Sequence, residues 1–276
     1  MATTDSTQRI ALGLEYDGTA FHGWQRQHHA ATVQAAVEHA VSRVANHAVT
    51  LHCAGRTDSG VHALEQVVHF DALTKRPLRA WTLGVNAHLP DTISVLWAAE
   101  VSTEFHARFS AQARHYRYLI LCRPTRSALW RDRALWLHRR LNLAAMRHAG
   151  DHLVGTHDFS SFRAQGCQAK SPVRTLHYLT LEQPSDDMIV LAVGADGFLY
   201  HMVRNIAGVL IAIGSGEADT DWTAQLLRDK DRRCGGVTAA PHGLYLARID
   251  YPDQFALPAR HSAEQAWAVN PSPRAN

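Results

Sequence analysis

The stretch Gly55-Arg56-Thr57-Asp58-Ser59-Gly60 sets one carboxylate and one guanidinium between two glycines. An apolar approach through Leu51 and Cys53 leads into it, and Val61 leads out towards a second strand-like run, Gln66 to Phe70. Glycine tolerates unusual backbone angles and lets a ligand approach the main chain. A loop of this kind on the end of a strand can hold one carboxylate still and leave room above it. An ionised carboxylate held in this way can act as a nucleophile or a base, and a neighbouring guanidinium favours the charged form. On spacing alone the same residues also make an ordinary hairpin turn with Arg56 and Asp58 solvated, because Gly, Ser, Thr and Asp are common turn residues.

Two other groups of side chains could do chemistry. Between Phe105 and Leu141 nine arginines (Arg108, Arg114, Arg117, Arg123, Arg126, Arg131, Arg133, Arg139 and Arg140) stand against one acid, Asp132. That stretch carries +8 and the rest of the chain −5, within a net charge of +3. Tyr116, Tyr118, Trp130 and Trp136 are interleaved with it. Arginine forks suit phosphate and aromatic faces suit bases, so this is the footprint of a nucleic-acid binder. Taken by itself it supports a non-catalytic RNA-binding module, or a solvated arginine-rich loop. His148 and His152, four apart on an expected helix with His157-Asp158 close behind, suggest instead a metal hydrolase. No glutamate lies between the two histidines to act as general base, and no metal ligand is assigned.

The elements that must position these groups follow from periodicity. Ile10 to Tyr16 alternates as a strand, and Asp17-Gly18 is a turn signal. Thr32 caps a helix with the stripe Val33, Val37, Ala40, Val41 and Val44, ending near Asn46. A strand over Gln66–Phe70, a short helix over Leu78–Val85 and a strand over Ile93–Ala98 complete the first half. The second half reads as a strand over His115–Cys122, a helix begun by Asn142 with Leu143, Met146 and Leu153 inward, and strands over Val173–Leu181 and Met188–Val193. A helix over Tyr200–Ile213 follows, then one over Trp222–Arg228 capped by Asp221, and a last strand over Gly243–Asp250. This is an α+β pattern of two similar halves sharing a sheet. Beyond Pro252 the periodicity ends, which predicts a loosely ordered tail.

Length and composition set the bounds. The chain has 276 residues, of which 46% are hydrophobic and 19% charged, as in soluble globular proteins. Its four cysteines, Cys53, Cys122, Cys167 and Cys234, contain no CxxC pair, which suits a reducing compartment better than a disulfide framework. The polar N-terminus carrying Asp5 does not read as a signal peptide. The longest apolar run, Ile206 to Ile213, is far short of the ~20 residues of a membrane span.

Gly55 to Ala63 resembles the active-site motif of the TruA family of tRNA pseudouridine synthases. Four further segments are similar to that family's signatures, in order: Tyr16 to Gln25 (YDGTAFHGWQ), Phe105 to Ser110 with Arg114 to Tyr118, Phe198 to Ile206, and Gly243 to Leu246. Together they run from Tyr16 to about Tyr251. Ser59, where many relatives have alanine, is a minor departure. The resemblance implies a pseudouridine synthase fold: two ferredoxin/RRM-like α/β halves, 8–105 and 106–252, sharing a mixed, mostly antiparallel sheet with a central active-site cleft, and a tail over 253–276. It implies Asp58 as the catalytic residue with Arg56 beside it, Tyr116 as the active-site tyrosine, Arg204 as the basic partner and Leu244 as a wall of the base pocket. Gly55, Arg108, Arg114 and Arg126 are the further expected substrate contacts. The implied reaction isomerises uridine to pseudouridine at nucleotides 38 to 40 of the tRNA anticodon stem-loop. It needs no cofactor and is carried out by a cytoplasmic homodimer.

Overall fold

The computed structural model describes residues 7–258. Their strands are β1 (Gln8–Tyr16), β2 (His52–Cys53), β3 (His62–Ala72), β4 (Ile93–Glu100), β5 (Ala113–Cys122), β6 (Leu135–Leu137), β7 (Gly155–Asp158), β8 (Val173–Ser185), β9 (Met188–Ala195) and β10 (Leu244–Asp250). The α-helices are α1 (Val33–Ala45), α2 (Leu143–Asp151), α3 (Met202–Gly214) and α4 (Trp222–Asp229). The strands form one sheet in the order β4-β1-β3-β10-β5-β9-β8-β7, with β2 added to β3 and β6 to β5. Every pairing is antiparallel except β10 with β3 and β6 with β5. The sheet is therefore mixed and mostly antiparallel, as the family resemblance implies.

The last strand closes the arrangement. β10 enters between β3 of the first half and β5 of the second, so the C-terminal segment joins the two halves. Its apolar residues divide accordingly. Leu246 and Ile249 belong to the core under β1, β3 and α1, whereas Leu244 belongs to the core under β5, β9 and α3. Tyr116 is half-buried and packs against both cores, so it stands in the seam.

Local rules account for most elements. In α1 Val33, Val37, Ala40 and Val41 are buried on one stripe, Thr32 Oγ1 accepts from the Ala35 N–H, and Asn46 ends the helix in the left-handed region at φ 60°. The short helix expected over Leu78–Val85 is present, with a π-helical turn at Ala80–Gly84 that buries Trp81. In α2 Asn142 caps the first turn through the Ala145 N–H, and Met146 and Leu153 are buried. Leu143 is only half-buried.

Three expectations differ. Asp221 precedes α4, but its carboxylate makes no capping hydrogen bond, because the residue itself has helical angles (φ −77°, ψ −6°). The strand expected from Gln66 begins at His62, directly at the end of the acidic loop. The tail expected from 253 includes a 3-10 turn, Asp253–Phe255, whose Phe255 ring packs edge-on to Phe105 at 5.1 Å. Residues 259–276 lie outside the described residues.

Candidate active site

The loop between β2 and β3 presents Asp58, and the segment after β1 clamps that loop. Tyr16 at the end of β1 hydrogen-bonds Thr57 Oγ1 at 2.8 Å, and the Trp24 N–H donates to the Thr57 carbonyl at 3.0 Å. The Gly60 N–H and the Ser59 hydroxyl both donate to the Phe21 carbonyl. The Gly18 N–H donates to Nδ1 of buried His62. Gly23 has φ +85°, and a Cβ there would stand 2.7 Å from the Thr57 carbonyl oxygen, so only glycine allows this approach. The aromatic segment Tyr16 to Gln25 is thus a bracket for the acidic loop.

α1 fixes the other side of the loop. Glu38, buried in α1, accepts from the Leu51 N–H at 3.0 Å and pairs with Arg26. On β3, Gln66 bonds both backbone groups of Gly55. Within the loop the Val61 N–H returns to the Asp58 carbonyl at 3.1 Å, with Gly60 at φ +75°.

The charge partner of Asp58 comes from the far half. Arg204, on the first turn of α3, donates through NH1 to Asp58 Oδ2 at 3.1 Å. Its Nε donates to the Ala239 carbonyl at 2.8 Å, and the Ala239 N–H returns to the Arg204 carbonyl. Behind it, buried Asn205 bonds Phe162, Thr238 and Arg232, which ties down the segment that holds Arg204. Arg56 is exposed and makes no ion pair or side-chain hydrogen bond among the described residues. Of the two arginines considered as charge partner, Arg204 is the one paired with Asp58.

His201, inside the Phe198–Ile206 segment but not singled out there, also reaches Asp58, with Nε2 at 3.3 Å from Oδ2. It precedes α3 at φ 60°, a left-handed conformation that non-glycine residues adopt at a cost. Burial lowers its pKa against the pull of Asp58, with Arg204 and Arg232 adding to the lowering.

The two residues expected as pocket walls lie on β5 and β10. Tyr116 on β5 lies with its hydroxyl 3.8 Å from where a Cβ of Gly55 would be, and its ring stands edge-on to Phe198 at 5.1 Å. Burial, with Asp58 nearby, raises its pKa above the usual phenol range. Leu244, 5% exposed, is paired across β10–β5 with Tyr118, two residues from Tyr116 on the same face. Asp58, Arg204, His201 and Tyr116 thus come together, while Leu244 is buried in the second core beside Tyr118.

The arginine stretch is only partly available to an anion. Arg114 donates to the carbonyls of Ala111, Asp196, Ala54 and Arg108, and burial lowers its pKa. It therefore serves as a strut between these four carbonyls. Arg133 pairs with Asp17, Arg139 with Glu217 and Arg131 with Asp132, and Arg123 folds onto its own loop. Arg108 and Arg126 are exposed and make no ion pair among the described residues. Tyr118 and Trp130, expected to be stacking faces, are committed to apolar clusters.

The histidine pair has a third neighbour other than the one expected. His148, His152 and Asp221 bring ligand atoms within 4.8 Å of one another. His157 turns to the Val154 carbonyl, and Asp158 caps Ser160. These residues lie on α2, β7 and the approach to α4, none of which contributes a group that touches Asp58.

The model of a family described as tRNA pseudouridine synthase matches residues 14–110 and 149–252. The chain is 55% identical to the tRNA pseudouridine synthase A of Nitrosococcus oceani, across 94% of this chain and all of that one. The chain belongs to the tRNA pseudouridine synthase family. Its likeness to the synthase of Pseudomonas aeruginosa is 54% across 92% of this chain and 89% of that one. To that of Methylococcus capsulatus it is 52%, across 90% and 92%. Among the described residues no helix is long and apolar enough to cross a membrane.

Proposed function

We propose that this chain converts uridine to pseudouridine at nucleotides 38 to 40 of the tRNA anticodon stem-loop, with Asp58 acting directly on the extruded nucleotide. The observation that carries the reading is the Asp58–Arg204 ion pair at the junction of the halves, with Tyr116 near Asp58. The reaction breaks the N1–C1′ bond, turns the uracil and joins C5 to C1′. The proton leaves C5 and N1 gains one, so nothing is oxidised and no energy source is consumed. Extruding a stacked uridine costs about a few kcal/mol and exposes a base that needs apolar and aromatic walls. Tyr116 and Leu244 supply them. Attack at C1′, attack at C6 and removal of the 2′ proton each need an ionised Asp58, and Arg204 supports that state in all three. The proposal includes a homodimer in the cytoplasm, as the family resemblance implies.

The test is to map pseudouridine in tRNA from cells with and without this protein, and in an unmodified transcript treated with the purified chain. Conversion at positions 38 to 40 only where the protein is present supports the reading. Binding of tRNA without conversion overturns it in favour of a non-catalytic RNA-binding module.

A further inference from the structure

Phe109 is the most exposed aromatic side chain among the described residues, at 76%. Its exposure is built rather than loose. His106 Nδ1 accepts the N–H groups of both Arg108 and Phe109, and His106 exchanges hydrogen bonds with Ser110 through its own N–H and carbonyl. The Phe109 ring lies on the His106 ring with centroids 4.3 Å apart and planes 30° apart. His106 in turn stands edge-on to buried His69 at 4.6 Å, whose Nδ1 accepts the Ala107 N–H. One face of Phe109 is therefore supported from the core outward, and the other faces solvent.

The turn is wired to the active-site loop. Arg114 NH2 donates at once to the Arg108 carbonyl (2.6 Å) and to the Ala54 carbonyl (3.2 Å), next to Gly55. Arg108 holds its guanidinium 5.6 Å from the Phe109 ring centre, within cation–π reach. Arg56, on the active-site loop, and Arg108 are both exposed. Neither has an acidic partner among the described residues.

We propose that Phe109 is a stacking platform for an unpaired base of the RNA substrate next to the target uridine, with Arg108 meeting a phosphate beside it. The inference rests on the proposed function and deepens it. A flat, supported aromatic face beside an unpaired arginine matches a nucleotide better than it matches a protein surface. Base stacking is indifferent to which base is present, which suits an enzyme acting at several neighbouring positions. A second copy of the chain is the competing occupant, and the test separates it.

The experiment compares wild type with Phe109→Ala, Phe109→Leu and Phe109→Trp on one anticodon stem-loop RNA, measured by filter binding at several salt concentrations. The same RNA with a single 2-aminopurine beside the target uridine reports stacking by its fluorescence. Phe109→Ala is expected to weaken binding by roughly 5- to 150-fold, the range for removal of one base stack. It is expected to leave the salt slope unchanged and to abolish the 2-aminopurine signal. Phe109→Trp restores both, and Phe109→Leu restores neither. Wild-type affinity in Phe109→Ala, or full rescue by Phe109→Leu, would overturn the platform. A change of oligomeric state in Phe109→Ala would overturn it in favour of an interface between copies. Wild-type turnover on the same RNA is read in parallel, so its absence counts against the proposed function and not against the platform.

Discussion

Arg204 and Asp58 lie 146 residues apart in the chain and meet at 3.1 Å, whereas Arg56, two residues from Asp58, makes no ion pair among the described residues. The positive charge beside the carboxylate is thus supplied across the junction of the halves. Correct docking of α3 is a condition for an assembled site. On this account Arg204→Gln lowers turnover by ~10²-fold or more, as expected for loss of a group that fixes reacting geometry. tRNA affinity falls far less. Arg204→Lys rescues poorly, because one ammonium cannot reproduce the planar grip on both Asp58 and the Ala239 carbonyl. Single-turnover rates and binding titrations on the same variants check this; equal losses in both would contradict it.

Gly23 is the second point of control. Gly23→Ala puts a Cβ against the Thr57 carbonyl at a position with φ +85°. The loop bearing Asp58 must shift, so turnover falls by ~10²-fold for a displacement of ~1 Å. The melting temperature falls as well, since Gly23 stands between Phe21 and Trp24, both buried in the core under β1, β3 and α1. Thermal denaturation alongside turnover measures the two effects separately.

The arginines divide by what they already hold. Arg108→Ala and Arg126→Ala each remove an exposed cation. Each is expected to flatten the dependence of log affinity on log salt by about 0.7–0.9 for every phosphate it no longer neutralises. Arg114→Ala leaves four carbonyls without their donor and is expected to lower thermal stability. Affinity against salt, together with the melting curve, distinguishes the groups.

Stability should decline in mild acid. His69 is buried among His52, His106 and Phe105, and burial, reinforced by His106 and His52, lowers its pKa to about 3. Because the folded pKa lies below the unfolded one, the unfolded chain binds the proton first. The contribution is complete above about pH 6.5 and is lost as pH falls towards the folded value, at up to ~1.4 kcal/mol per pH unit. His69→Gln is expected to make the decline shallower. Urea midpoints across this range measure it, and an unchanged slope would count against the burial argument.

What was legible in the sequence was local or carried by a motif. The α1 stripe, its Thr32 cap and its Asn46 stop are set within one helix and could be read directly. The strands of the antiparallel runs could be read for the same reason, since period-two alternation is a property of each segment. The sequence pattern carries no sign of the parallel insertion of β10 between β3 and β5, because that pairing is non-local. The convergence of Asp58, Tyr116 and Arg204 followed only from the resemblance. The use of Tyr16 to Gln25 as a bracket, of Arg114 as a strut and of His201 as a second neighbour of Asp58 was not legible. Each depends on which distant acceptor a side chain finds after folding. His201 lies within the Phe198–Ile206 signature, but its positive φ leaves no mark in residue type.

The central claim is that the Asp58 carboxylate acts on the nucleotide. Asp58→Asn keeps its size and removes its charge, and an amide is neither a comparable nucleophile nor a comparable base. The direct measurement is tritium release from tRNA labelled at C5 of uracil, paired with filter binding by the same variant. Binding should persist, since affinity comes mainly from contacts to phosphate and sugar, and tritium release should be absent. Substantial tritium release by Asp58→Asn would contradict the account.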